Sequence, residues 1–435
     1  MQEILLKFEV SLKMSDDGIK INNLLYQLRK FMQVLFFGIL GEIFNALESR
    51  AVKELKEKHP GRYNRNGKRQ KPRQIKTSYG MFNYKFVLVF DKEKKNTITP
   101  LPGIIGLSAY ERNTREAAEG GAGLVCHLSY RKSSAEVERI MGTQISKSKL
   151  HREIQELGEH IGEWPDLKEI PYRFLMVDGT GVRIQGSDKK IEMRWALASK
   201  GEKDKFEPVG VWINESWKNI RKDLQARMNY SGIEVLFSDG GAGIEDNLLT
   251  KGMRHQRCIW HGNRDFAFLL YKDGLKKVGQ EKFKDKLGSI PAMKMTKMKL
   301  ERLNPEDIPN VTKMAKKTTE GFEELLEMLD ENKYPNARTY IENLSRNVSV
   351  FFDIWLSDNS CIPLNSNAIE NAFSQVKNRI WAVGKRWSEQ GLMNWLKIMM
   401  KKTFFPETWN KLWEEYLGLD SSLRFELLKV KHQWA

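Results

Sequence analysis

Two aspartates close apolar runs, and each is followed by glycine: Asp178 in LMVDGTG and Asp239 in VLFSDGG. Glycine lets the backbone turn sharply there and leaves the carboxylate at the edge of a strand. Either aspartate alone reads as an ordinary turn residue. A pair on one sheet is different, because neighbouring carboxylates repel and are held together only by a shared cation or proton. Oxygen donors on a rigid sheet edge suit magnesium or manganese. Holding two such ions, with positions left for substrate oxygens, requires a third carboxylate. Glu370, in NSNAIENAFSQVK, is the candidate: Asn365, Ser366 or Asn367 can cap a helix that puts Glu370 in its first turns. Lys377 and Arg379 follow on that helix, with Lys385 and Arg386 just beyond, spaced to grip phosphates around the site. Glu215, Glu245, Asp265 and Glu389 are rival third acids.

The elements that must position these acids are legible from periodicity. Residues 173–185, 189–200 and 206–217 read as three strands and 219–229 as a helix. A fourth strand (233–241), a short helix (246–253) and a fifth strand (254–261) follow. That order describes a mixed sheet with helical cover. Residues 264–359 are helical and polar, and 365–435 are helical and rich in Trp. Cys258 and His261 in RCIWH supply two of the four ligands a structural zinc site needs, so packing and hydrogen bonding near the acids is the preferred role. His255 and His261 are also placed to touch a phosphate. Trp260 and Trp381 could stack on bases, although Trp in a helix-rich protein is usually core.

Upstream, Leu24 to Leu47 has helix spacing with a wide apolar face, suited to packing on a core or a partner helix. The run RYNRNGKRQKPRQIK carries Arg62, Arg65, Lys68, Arg69, Lys71, Arg73 and Lys76 with no acid, which reads as a flexible arm lying on phosphates. In SYRKSSAEVERIMGTQISKSKLHREIQ a helix, a turn at Gly142 and a second helix capped by Ser146 have helix-turn-helix spacing. The second helix offers Lys147, Lys149 and Arg152 to a groove or its phosphate walls.

Composition agrees with a polyanionic partner. The 435 residues carry 72 Lys+Arg against 56 Asp+Glu, a net charge of +16, and are long enough for two or three domains. Three scattered cysteines form no disulfide framework and fit a reducing compartment. The acids in MQEILLKFEV argue against a signal peptide, and the most apolar window, Val34 to Leu40, is short for a bilayer span, so no membrane association is expected.

Together, the strand order, Asp178, Asp239, Cys258-Ile-Trp-His261, the long helical stretch and NSNAIENAFSQVK resemble a DDE transposase of the Mutator type, a group that includes many prokaryotic insertion-sequence transposases. The resemblance covers residues 170–400, and the 129–155 stretch looks like the family's DNA-binding segment. It implies an α/β fold: an RNase H-like mixed-sheet core (170–263 and 360–400) with a helical insertion (264–359). A helical N-terminal region (1–60), an α/β DNA-binding region with helix-turn-helix (61–165) and a helical tail (401–435) complete it. It further implies that Asp178, Asp239 and Glu370 are catalytic and hold two Mg2+ (or Mn2+) ions, with Cys258 and His261 as a family signature beside them. The implied reaction is cleavage at the element's ends and joining of the freed 3′-hydroxyl to target. The implied partners are double-stranded DNA of element ends and target and a second copy of the chain, as a homodimer or higher oligomer, in a prokaryotic cytoplasm at the nucleoid. A structure-specific nuclease on the same core, and a catalytically silent DNA-binding regulator, are the alternatives.

Overall fold

A long helix, α1 (Ile21–Lys58), opens the part of the chain that the computed structural model describes, residues 20–186, 189–382 and 387–419. The chain divides into two units, Met1–His160 with Glu407–Ala435, and Ile161–Pro406.

In the first unit α1 is followed by β1 (Tyr63–Lys68), β2 (Arg73–Thr77), β3 (Gly80–Tyr84), β4 (Val87–Asp91), β5 (Asn96–Ile98) and α2 (Pro100–Ile104). The strands form an antiparallel sheet β1-β4-β5 and a hairpin β2-β3. Phe44 of α1 joins Ile75, Phe82, Tyr84, Phe86 and Leu101 in a small core, with Phe37, Leu40 and Leu47 packed against it. The basic run 62–76 is therefore two paired strands rather than a flexible arm. α1 also corrects the membrane argument from sequence, because its length and composition alone would let it cross a bilayer. Its second half is engaged otherwise: buried Glu48 accepts hydrogen bonds from the Val87 amide (2.7 Å) and the Tyr84 hydroxyl (3.0 Å). The acids of MQEILLKFEV lie outside the described residues.

The same unit continues with α3 (Arg115–Val125), α4 (Tyr130–Met141) and α5 (Lys147–Ile161). Ser129 caps α4 by accepting from the Lys132 amide, and Gly142 ends it in the left-handed conformation (φ 67°), which glycine adopts without penalty. Ser146 accepts from the Lys149 amide at 3.3 Å. Val137 of α4 and Leu150, Ile154 and Leu157 of α5 are fully buried. On the helix Pro406–Leu417, Tyr416 donates to Glu153 of α5 at 3.3 Å.

The second unit is built on a sheet of five strands. They are β6 (Phe174–Arg183), β7 (Lys190–Ser199), β8 (Glu207–Ile213), β9 (Val235–Ser238) and β10 (Arg254–Arg257), in spatial order β10-β9-β6-β7-β8. β6, β7 and β8 run antiparallel, while β9 and β10 run parallel to β6. The crossover between β8 and β9 uses α6 (Trp217–Arg227), and α7 (Ile244–Leu248) joins β9 to β10. Alternate residues of the strands face opposite sides. Leu175, Val177, Ala196, Ala198 and Leu236 point to one face, where Trp217, Ile220 and Leu224 of α6 complete a core.

After β10 no strand follows among the described residues. α8 (Ile259–Lys272), α9 (Lys277–Ser289), α10 (Lys297–Leu300), α11 (Ile308–Met328), α12 (Pro335–Asn347) and α13 (Val350–Asp358) form a helical stretch, with Phe283, Leu287, Phe322, Leu325, Ile341 and Leu344 buried among them. The chain then returns to the sheet with α14 (Asn367–Lys377) and α15 (Glu389–Phe404), which cover its other face; Phe373 packs on Trp195 of β7 at 5.5 Å.

Candidate active site

Strand register places the two aspartates. Met176 of β6 pairs with Phe237 of β9 in parallel, and Asp178 and Asp239 each lie two residues further on. Parallel neighbours are about 4.8 Å apart and share side-chain direction, so both carboxylates emerge side by side on the face covered by α14. One detail differs from the sequence reading. Asp178 does not end its strand, because β6 runs on through Gly179 to Arg183 against β7. What ends there is β9, at Ser238, and that exposes the edge of β6 beside Asp178. Asp178 pairs across β6–β7 with Trp195, which is fully buried.

Glu370 comes from the first turn of α14. The helix begins as NSNAIE suggests: Asn365 accepts from the Asn367 amide at 3.2 Å. Ser366 occupies the N-cap position without capping. Its hydroxyl donates to Glu370 Oε1 at 3.0 Å and lies 3.2 Å from His261 Nδ1, while its amide donates to Cys258 Sγ at 3.4 Å. Cys258 and His261 do not lie on a strand, since β10 stops at Arg257, Cys258 is the N-cap of α8 and His261 is in its first turn. The three-residue spacing thus puts both on one helical face.

The loop after β9 is held from behind. Ser238 Oγ sits 2.8 Å from His255 Nε2 and accepts from the Gly240 amide at 3.0 Å. Arg257 donates to the Asp239 carbonyl at 3.1 Å. Gly240 has φ +83°, and a Cβ there would overlap the Arg257 guanidinium. His255 is 3% exposed and faces Ser238 and Glu245, so it is a buried support and not a phosphate contact.

Burial, and then repulsion from Asp239, raise the Asp178 carboxyl from the ordinary 3.8 to about 7, with Glu370 adding to the push. Asp239 and Glu370 are therefore the carboxylates that Asp178 feels. The rivals are engaged elsewhere or lie on other elements: Glu215 with Asn219, Glu245 with Asn347, Asp265 with Arg264, and Glu389 at the start of α15. Burial opposes ionisation of Cys258, but hydrogen bonds from His261 and Ser366 outweigh it and leave the thiol below its usual range. Burial likewise opposes a charge on His261, yet the bond to Cys258 raises its pKa. Three oxygen acids match a hard divalent cation in donor type. Among the described residues, however, no three Asp, Glu, His or Cys side chains stand close enough to form a ready ligand group.

The expected basic contacts divide. Arg65, Lys68, Arg69, Lys71, Lys147 and Arg152 are exposed, and Lys377 is half-buried beside Trp381. Arg62 is taken by Asp91, in a two-pronged pair at 2.9 and 2.8 Å, and Arg73 donates to backbone carbonyls of the 108–111 turn. Lys149 is paired with buried Glu153. Arg379 is 4% exposed, with its guanidinium over Trp387 (4.6 Å) and Trp395 (5.8 Å), so as placed it serves packing and not phosphate binding. Lys385 and Arg386 lie outside the described residues. Trp260 and Trp381 are not core: they are 55% and 48% exposed. Sequence reading also passed over Arg264, which stacks on Trp260 at 5.0 Å and feels the charges of Asp239 and Glu370. Its three-residue offset from His261 on α8 was the available signal.

Residues 27–348 match the family model described as "Transposase, Mutator family", and the chain belongs to that family of transposases. The match contains Asp178, Asp239, Cys258 and His261, and it ends before Glu370. A search of curated proteins finds no match. Among solved structures the chain is similar to the Drosophila P element transposase strand transfer complex, at 13% identity and a TM-score of 0.26, covering 72% of this chain and 83% of that one. A likeness at that score carries no weight here.

Proposed function

We propose that Asp178, Asp239 and Glu370 form the catalytic carboxylate set of an RNase H-like core, and that this transposase cleaves DNA at its element's ends and joins the 3′-hydroxyl to target. The carrying observation is that two aspartates in matched register share a sheet face with the helix bearing Glu370; burial first, and then the charges of Asp239 and Glu370, push Asp178 to about 7. Three antiparallel strands followed by two parallel ones in the order β10-β9-β6-β7-β8 support the RNase H-like reading. Mg2+ or Mn2+, bound as two ions, would activate the attacking oxygen and stabilise the leaving one in an in-line displacement. Asp178 and Asp239 offer oxygens from rigid strands, and Glu370 offers one from a helix start. Lys377 would meet phosphate oxygens beside them, and so would the guanidinium nitrogens of Arg264 that its pair with Asp265 leaves over. We read α4 and α5 as a helix-turn-helix whose Lys147 and Arg152 contact double-stranded DNA, with Arg65, Lys68, Arg69 and Lys71 adding phosphate contacts. Synapsis of two ends calls for at least a dimer, in the cytoplasm at the nucleoid.

The test uses a duplex carrying the element end, with Mg2+ or Mn2+. The parent protein is expected to nick it and to join a pre-nicked end to a target plasmid. Asp178→Asn, Asp239→Asn and Glu370→Gln should each bind the duplex and cut about 100- to 1000-fold more slowly. Cutting by Asp178→Asn at the parental rate would overturn the reading, and cutting without joining would make the protein a nuclease.

A further inference from the structure

We infer that Ser366 is a positioning residue that sets Glu370 for cation binding, and that Cys258 and His261 hold it in place, His261 also standing 3.8 Å from Glu370 Oε1 itself. This rests on the carboxylate reading above. A serine at a helix N-cap ordinarily turns its oxygen to the amides of the first turn. Ser366 does not: its hydroxyl is directed at Glu370 Oε1, 3.0 Å away, although the residue is 1% exposed. A hydroxyl has one hydrogen. With that hydrogen on Glu370, the contact at 3.2 Å to His261 Nδ1 holds only if the imidazole nitrogen is the donor. The Ser366 amide is fixed in turn by Cys258 Sγ at 3.4 Å. Ser366 thus ties the start of α14 to the start of α8, beside the Ile259 amide's bond to the Leu364 carbonyl, and the carboxylate it orients is the one brought from farthest along the chain.

The arrangement also explains why the Cys-x-x-His pair sits near the acids without making a zinc site. Its two polar atoms meet Ser366, and no four-ligand cage is needed. Neither side chain has to touch substrate. They keep the first turn of α14 from rotating, and Ser366 orients one oxygen of Glu370 so that the other is presented to the site. Partners that orient a ligating carboxylate commonly change metal affinity by about 10–100-fold when removed.

The experiment measures Mn2+ binding directly, by calorimetry on the full chain without DNA, alongside cleavage of the end duplex across a Mn2+ series. Ser366→Ala is expected to bind Mn2+ about 10-fold or more weakly, to recover cleavage as Mn2+ is raised, and to melt with the parent when metal-free. Ser366→Thr, which keeps the hydroxyl, should restore parental affinity. Should Ser366→Ala not fold, His261→Ala carries the same test, with a smaller shift in the same direction. Unchanged Mn2+ affinity in Ser366→Ala would overturn the inference. So would a lower metal-free melting point that Ser366→Thr does not rescue, since that marks a merely structural role. Asp178→Asn is the control: if it leaves Mn2+ affinity and cleavage intact, the carboxylate site itself is wrong and the inference goes with it.

Discussion

Asp178 and Asp239 stand level with one another, each two residues past the last paired position of β6 and β9. Nothing in the backbone forces two acids into that position, and their proximity works against folding. Burial beside Trp195 and the charge of Asp239 both favour a protonated Asp178. The site is therefore built at some expense of stability, and that expense is measurable.

The sign is fixed by the direction of the shift. A carboxyl at about 7 when folded and 3.8 when unfolded holds its proton more tightly in the fold. Metal-free protein should be most stable, as far as this group is concerned, below pH 4. It should lose stability as pH rises toward 7 and change no further above it. A shift of this size corresponds to roughly 4 kcal/mol at most. Asp178→Asn removes the charge, so at pH 8 it should melt several degrees above the parent, and near pH 4 the two should coincide. Added Mn2+ should raise the parent's melting point and leave the variant's nearly unchanged. Calorimetric scans at both pH values check this; a variant that melts below the parent at pH 8 contradicts it.

Gly240 is a second point of leverage. Its positive φ costs an L-residue about 1–2 kcal/mol from handedness alone, and a methyl group there would displace the Arg257 guanidinium that donates to the Asp239 carbonyl. Gly240→Ala should therefore lower stability modestly and cleavage by about 10–100-fold, the scale of a small misplacement at a reacting centre. Gly67 also has positive φ but has open space around it, so Gly67→Ala serves as the control and should cost only the handedness term. Equal loss of cleavage in both would show that Arg257 plays no part.

Much of this was readable in the chain. The strand order, both aspartates, the helix that starts at NSN and the Gly142 turn follow from period, caps and glycines, which are local signals. The misreadings are of another kind. Arg62 reads as a DNA contact because seven basic residues run together, yet Asp91, far along the chain, had already claimed it. Arg379 reads as a phosphate contact because it follows Glu370 so closely, yet Trp387 and Trp395 cover it. RHQRCIWH reads as one strand over 254–261, yet the strand stops at Arg257 and Cys258 begins a helix. For Arg62 a partner 29 residues away decided the outcome, and local pattern carries no record of such partners.

That division of the basic residues predicts a salt dependence. Each phosphate neutralised contributes about 0.9 to the slope of log affinity against log salt. Replacing exposed Arg65, Lys68, Arg69 and Lys71 by Gln should flatten the slope by roughly 0.9 for each side chain that contacts phosphate, and leave melting nearly unaltered. Arg62→Gln and Arg379→Gln should do the reverse: melting falls, and the slope measured on the folded fraction stays. Fluorescence anisotropy over a salt series separates the two groups. A flattened slope in Arg379→Gln would return that residue to the DNA interface.

The last test concerns α1, which is long and apolar enough to span a bilayer and yet has Glu48 buried on the face that meets the hairpin. If docking on β3 and β4 is the helix's role, the carboxylate is needed. Glu48→Ala leaves the Val87 amide without its acceptor, while the Tyr84 hydroxyl keeps Asn45 Oδ1, and a buried donor left unpaired costs about 1–3 kcal/mol. Phe44→Ala opens a cavity in the same core, at about 3–5 kcal/mol. Denaturant unfolding of both variants should show those losses, and the parent should remain in the supernatant when spun with anionic vesicles in physiological salt. Were Glu48→Ala to gain stability and the parent to sediment with the vesicles, α1 would belong to a membrane and not to the hairpin.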